Sequence, residues 1–224
     1  MNLKRVENYL GEEGILSTRL EGFEFRPQQV DMAAAVAEAF GNAKHLIVEA
    51  GTGTGKSLAY LIPAILWAVE NNKKVVISTY TKTLQHQILN HDIPFLRDKL
   101  GIAFRYALCM GNENYLSLRR LKRSAQAGLF TKSDEENQWD GIFNWAEETE
   151  TGFRSDLPFE VLPQVWEEVG RQKDLCLGKS CETHSSCFYF KARKKWFGAH
   201  LLIVNHHLFF ANVANAGAVL PAFD

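Results

Sequence analysis

The stretch Ala50-Gly51-Thr52-Gly53-Thr54-Gly55-Lys56-Ser57 constrains the fold of this chain more than any other. Before it runs His45-Leu46-Ile47-Val48-Glu49, a short apolar segment that predicts a buried strand. After it, Leu58 to Glu70 is rich in Leu, Ala and Ile and predicts a helix. Strand, glycine-rich turn, helix is the setting of a phosphate-binding loop. The glycines let the backbone curl so that several N–H groups face phosphate oxygens. The helix that follows adds its unpaired N–H groups and the positive end of its dipole. Lys56 is then placed to reach the β- and γ-phosphates, and the Ser57 hydroxyl to ligate Mg²⁺. The generic pattern has glycine at its first position, where this chain has Ala50. These residues predict a nucleoside-triphosphate site.

A chain of 224 residues with 46% apolar content has enough material for one large domain or for a domain carrying an insertion. The net charge of −1 hides a segregated pattern. From Asp134 to Glu168 there are eleven acidic residues against one basic residue, Arg154. Basic clusters flank this block: Arg119, Arg120, Lys122 and Arg123 before it, and Lys191, Arg193, Lys194 and Lys195 after it. Such segregation suits an anionic partner at one place only, and either cluster alone is also compatible with a solvated helix face. The longest apolar run, around Leu58–Val69, is too short to span a bilayer. The N-terminus lacks the apolar core of a signal peptide, so the expected location is cytoplasmic, with no membrane partner. In that setting four cysteines read as metal ligands or core residues rather than disulfides.

Upstream of the loop, Phe25-Arg26-Pro27-Gln28-Gln29 opens a helix expected to run to about Phe40, with Pro27 in its first turn and Gly41 as its cap. Gln29 in this position can hydrogen-bond the donor and acceptor edge of adenine, with Arg26 beside it. Pro63 lies inside the following helix, which Asn71-Asn72 should end. Lys74–Thr79, Phe104–Cys109 and Leu201–Asn205 predict further strands, and their alternation with helices predicts a parallel sheet. Thr79 and Thr81 fall at the C-terminal end of one such strand, the side on which α/β sheets bind ligands. Short polar groups there suit a sugar–phosphate backbone. The rhythm then lapses for some ninety residues, the length of an inserted subdomain. Trp139, Trp145 and Trp166 fall in it and read as its small core.

Cys176, Cys181 and Cys187 stand at intervals of five and six. Close thiolates separated by Gly and Ser can wrap zinc or an iron–sulfur cluster. A second close Cys pair, usual for zinc, is missing, so the spacing leans toward iron–sulfur without deciding it. His184 lies inside the loop as a further possible ligand, and Cys109 is distant in sequence.

Six motifs now stand in order: Phe25-Arg-Pro-x-Gln29, Glu49-Ala50 to Lys56-Ser57, Thr79-Tyr-Thr81-Lys-Thr-Leu-Gln85, Gly111-Asn-Glu-Asn-Tyr-Leu116, the three cysteines, and Val204-Asn205-His206-His207-Leu-Phe. Together they resemble the DinG branch of the iron–sulfur superfamily 2 DNA helicases, which also contains the XPD-like helicases. The loop form beginning with Ala50 is itself typical of helicase motif I. The resemblance covers nearly the whole chain and implies an α/β fold: a RecA-like P-loop parallel sheet with an inserted, mainly helical iron–sulfur-type subdomain. It implies residues 1–111 as the first part of RecA-like domain 1, 112–198 as the inserted cluster subdomain, and 199–224 as the return to domain 1.

By the same resemblance Arg26, Gln29 and the loop from Ala50 to Ser57 would bind ATP. Lys56 and Ser57 would be the catalytic pair, with Ser57 on Mg²⁺. Thr79 and Thr81 would touch the translocating strand, and Arg119, Arg120, Lys191, Lys194 and Lys195 would guide single-stranded or forked DNA. Cys176, Cys181 and Cys187 would be three of four [4Fe–4S] ligands. The family's first cluster cysteine follows Asn-Tyr-Leu, and here that position is Ser117. At this position, Ser117 or Cys109 being the candidates, either the cluster is incomplete or lost, or Cys109 or a non-thiolate ligand takes the fourth iron. An Asp-Glu-Ala-His box is expected a few tens of residues after His207, and the sequence given runs to Asp224. The expectation is therefore the N-terminal part of an ATP-dependent helicase, 5′ to 3′ on single-stranded DNA, of DNA repair or replication. The other expectation is a non-catalytic nucleotide- or DNA-binding module.

Overall fold

The computed structural model describes residues 3–127 and 133–223; Met1, Asn2 and Asp224, used above in reading the two termini, lie outside the described residues. The chain divides into two compact units, Met1–Leu108 with Gly198–Asp224, and Cys109–Phe197.

In the first unit, helices α1 (Leu3–Leu10) and α2 (Ile15–Arg19) precede α3 (Pro27–Asn42) and α4 (Lys56–Asn71). Arg26 is the N-cap residue of α3 and Pro27 takes its first turn, as the missing N–H of proline permits. Gly41 does not cap this helix. Ala43 does, in the left-handed region at φ 50°, while the Lys44 N–H reaches back to the Ala39 carbonyl. Pro63 is buried inside an unbroken α4, which closes on left-handed Asn72. Helices α3 and α4 pack on each other through small side chains, Ala33 and Ala37 against a core that includes Ala59 and Ile62. Phe40 stacks on Trp67 at 5.1 Å between ring centroids. Burial of this apolar set, at roughly 25 cal/mol per Å², is what holds the pair together.

Strands β1 (Val75–Thr79), β2 (Tyr106–Cys109) and β3 (Leu201–Asn205) form a sheet in the order β1-β3-β2. β1 and β3 run parallel, with Val75 opposite Leu201 and Thr79 opposite Asn205. β3 is central because Leu201-Leu202-Ile203-Val204 is buried on both faces, the apolar run a doubly covered strand requires. Helices α5 (Lys82–Gln87) and α6 (Ile93–Lys99) are joined through a π-helical turn at Ile88–Asp92, and α11 (His206–Ala214) follows β3 directly.

One expected strand is absent. Residues 45–49 form no ladder, and Leu46, Ile47 and Val48 are exposed, Ile47 at 98%. Apolar and β-branched content sets a propensity for strand, but a strand exists only where a neighbour takes its N–H and C=O groups. Among the described residues no strand lies beside this segment.

The second unit is mainly helical: α7 (Leu118–Ala127), α8 (Ser133–Glu148), α9 (Pro163–Val169) and α10 (Phe188–Gly198). Trp145 and Trp166 are buried in it, and Trp139 donates its indole N–H to Ser124 Oγ at 2.8 Å. Trp145 and Trp166 thus belong to its core, while Trp139 is half-buried. Isolated bridges pair Tyr115 with Phe153 and Leu116 with Gly170, pinning the segment that leads into Ser117. No helix among the described residues is long and apolar enough to cross a membrane.

Candidate nucleotide site and cysteine cavity

The phosphate loop opens α4. Gly55 is its N-cap residue at φ 72°, and Gly53 lies at φ 80°, both in the region that favours glycine. Thr54 Oγ1 donates to the Gly51 carbonyl at 3.0 Å, which tightens the curl. Lys56 Nζ donates to the carbonyls of Ala50 and Gly51 at 3.0 and 2.6 Å. An ammonium held by its own loop on an exposed surface is a cation that anionic oxygens can draw off at small cost.

Two upstream side chains brace the loop. Arg26 donates through Nη1 to the Gly53 carbonyl and pairs with the Glu24 carboxylate at 2.6 Å. Gln29, only 4% exposed, donates through Nε2 to the Gly55 carbonyl at 2.9 Å. The sequence placed Gln29 at an adenine edge; the structure places its amide NH₂ on the loop itself. A Cβ added at Gly55 would lie 2.0 Å from Gln29 Nε2. Gly55→Ala therefore meets both a left-handed backbone, worth about 1–2 kcal/mol of strain, and the Gln29 amide, which must leave the Gly55 carbonyl to make way. Its affinity for an ATP analogue should fall about tenfold or more, as 1.4 kcal/mol converts. Equilibrium binding measures this, and an unchanged dissociation constant would refute the packing described. Beside the loop, burial pushes the Tyr60 phenol above its usual range while a bond with Ser57 works against the shift.

Thr79 and Thr81 differ in setting. Thr79 is 3% exposed at the end of β1, whereas Thr81 is exposed and caps α5 by accepting the Leu84 N–H at 3.2 Å. Between them Tyr80 is 73% exposed, with the His206 ring 6.0 Å away. His206 Nδ1 lies 2.7 Å from Ser78 Oγ, a contact sequence spacing had no means to reveal because 128 positions separate the two.

The basic residues also divide. Arg119 donates to the Leu175 carbonyl at 2.5 Å, and Arg120 donates to the carbonyls of Glu168, at 3.0 Å, and Glu167. These bonds tie α7 to the segments carrying Glu167, Glu168 and Leu175. Lys191, Lys194 and Lys195 are exposed along α10 at spacings of three and four, which puts them on one helix face.

In the second unit, Cys176, Cys181, Cys187, His184 and Ser117 line one cavity. Arg119, Arg120 and Arg171 add three cations to its wall. Cys109 is not part of that lining; it is fully buried, and burial pushes its thiol far above the usual range. The Gly178 N–H lies 3.4 Å from Cys176 Sγ, and Thr183 Oγ1 lies 3.3 Å from Cys181 Sγ. Among the described residues no group of three His, Cys, Asp or Glu is placed to hold a metal ion. Sequence reading missed Arg171. It is buried, sits 4.0 Å over the Tyr189 ring, donates to Asn112 Oδ1 at 2.7 Å, and its Nε has no hydrogen-bond partner among the described residues. A charged residue ahead of the first loop cysteine was the available signal.

Residues 27–136 match the DEAD/DEAH box helicase family. The chain is similar to the ATP-dependent DNA helicase YoaA of Haemophilus influenzae, 37% identical over 217 residues, covering 94% of this chain and 32% of the relative. It is 38% identical over 223 residues to the ATP-dependent helicase DinG of Mycobacterium tuberculosis, covering 90% and 33%. It is 32% identical over 221 residues to the 3′-5′ exonuclease DinG of Bacillus subtilis, covering 94% and 23%. The chain spans about a third or less of the length of these curated relatives.

Proposed function

We propose that this chain, which belongs with the DinG-type helicases of the DEAD/DEAH box class, supplies the ATP-binding portion of an ATP-dependent DNA helicase that tracks 5′ to 3′ on single-stranded DNA. The observation that carries the reading is the phosphate loop, curled by Gly53 and Gly55, braced by Arg26 and Gln29, and holding the Lys56 ammonium on its own carbonyls. On binding, Lys56 exchanges those carbonyls for the β- and γ-phosphates, and Ser57 would hold Mg²⁺, whose charge offsets that of the phosphates. Binding of an ATP analogue with Mg²⁺ to the chain, and single-stranded-DNA-stimulated turnover in a longer protein that contains it, test the proposal. A chain that binds no nucleotide would overturn it.

The exposed lysine face of α10 is the proposed electrostatic guide for DNA, with Thr81 a contact for the strand. Replacing Lys191, Lys194 and Lys195 by alanine should weaken binding to all sequences alike. It should also flatten the log–log salt dependence by about 2, at about 0.7 per lost phosphate contact on a single strand. Fluorescence titration at several salt concentrations reads the slope. An unaltered slope would take these lysines off the DNA path.

The cavity of the second unit is the proposed seat of a [4Fe–4S] centre held by Cys176, Cys181 and Cys187. Support comes from its donor set. Three thiols line one cavity together with His184 and Ser117, and in a cubane separate irons each take one side chain. The cationic wall, with the unpartnered Arg171 Nε, complements an anionic thiolate-bound centre. Bound there, such a centre would supply a redox couple and a cross-link of the loop.

A further inference from the structure

Three thiols leave one corner of a cubane without a protein donor, and three side chains compete for it. Cys109 is buried away from the cavity. Ser117 lines the cavity, but its Oγ accepts the Arg120 N–H at 3.4 Å and its carbonyl accepts the Leu121 N–H at 2.9 Å. It serves the opening turn of α7 as a helix cap, and a neutral hydroxyl is a weak donor to iron beside thiolates.

His184 is set differently. Its Nδ1 lies 2.9 Å from the Gly178 carbonyl oxygen. A carbonyl has no proton to give, so Nδ1 carries the hydrogen and donates it. In the neutral imidazole this leaves the lone pair on Nε2. A ring N–H tied to a backbone carbonyl is how proteins fix the tautomer of a metal-bound histidine. Gly178, at φ 57°, also presents its N–H to Cys176 Sγ, so one residue orients both a thiol and the imidazole. The Phe190 ring, 4.4 Å from the His184 ring, holds its plane and lines the same cavity.

We infer, resting on the cluster reading above, that His184 is the fourth protein donor to this centre, through Nε2. The site is then a Cys₃His set, less negative by one charge than four thiolates, and its reduction potential lies higher for that reason.

The test uses the protein purified anaerobically and reconstituted with iron and sulfide, beside His184→Ala, His184→Cys, Ser117→Ala and Cys109→Ala. Iron and sulfide content, reduction potential, and nitrogen hyperfine coupling in the paramagnetic resonance of the reduced centre are read, with circular dichroism checking each fold. The unaltered protein, Ser117→Ala and Cys109→Ala should hold about four irons per chain. The unaltered protein should show imidazole-nitrogen coupling. His184→Ala should lose at least one iron, while His184→Cys should keep about four, lose the coupling and shift to a lower potential. A centre of four irons with no nitrogen coupling would overturn the assignment and leave the cluster standing. Iron lost from Ser117→Ala but kept by His184→Ala would give the corner to serine. No iron in the unaltered protein would overturn the cluster reading and His184 with it.

Discussion

Lys56→Ala should cut ATP turnover about 10²–10³-fold in a longer protein containing this segment while leaving the fold intact. Lys56 is exposed, and among the described residues its ammonium bonds the carbonyls of Ala50 and Gly51, so its removal strands no buried group there. Folding stability should move by less than about 0.5 kcal/mol, as for an exposed side chain outside any packed feature. Phosphoryl transfer is the opposite case. Charge spreads over the equatorial oxygens of the moving group, and a preplaced cation stabilises that charge more than it stabilises the bound nucleotide. Loss of one such donor costs about 10²–10³ in kcat, or roughly 2.7–4 kcal/mol. Steady-state ATPase assays with saturating single-stranded DNA measure the rate. A variant within tenfold of the unaltered protein would show that Lys56 does not meet the transferring phosphoryl group.

Trp166→Ala should have the largest effect on the second unit. Trp166 lies on α9 at 5% exposure, between buried Val165 and Val169, and donates its indole N–H to the Glu113 carbonyl at 2.9 Å. Arg154 lies over its ring at 5.6 Å. Truncation removes a large apolar volume from a small core, a change that costs about 3–5 kcal/mol. The orphaned Glu113 carbonyl adds about 1–3 kcal/mol if no water replaces the indole. Trp166→Phe separates the two effects by keeping most of the ring and losing the N–H. Urea denaturation followed by circular dichroism gives the free energies. A loss below about 1 kcal/mol in the alanine variant would mean that Trp166 does not anchor this core.

The alternation of strands and helices and the phosphate loop were legible because local chemistry fixes them. Glycine at Gly53 and Gly55 permits a left-handed backbone, Pro27 begins a helix, and the continuous apolar run Leu201–Val204 asks for burial on both sides. The lysine face of α10 was legible for the same reason, since spacings of three and four fix a face once a helix forms. The segment 45–49 was misread because pairing is not a property of the segment: its propensity is for strand, but the ladder needs a neighbour. Gln29 was legible as the opening of a helix upstream of the loop, while its bond to Gly55 depends on how α3 lies against α4. The charge of Arg119 and Arg120 was visible in sequence, whereas their hydrogen bonds to backbone carbonyls were not.

By itself the sequence determined which groups the chain carries at short spacing: a glycine-rich loop ending in Lys56 and Ser57, three cysteines, and three lysines on one helix face. Each rests on residue type and short spacing, which the backbone geometry of one turn or one helix converts directly into position. Only the tertiary structure decided which of these groups meet. It brought Ser117 and His184 to the cavity of Cys176, Cys181 and Cys187, and buried Cys109 away from it. It turned His184 Nδ1 onto a carbonyl, and set Arg171 against the thiols. Those contacts depend on packing among α7, α9 and α10 and the loops between them, where the free energy comes from burying apolar side chains remote from the site.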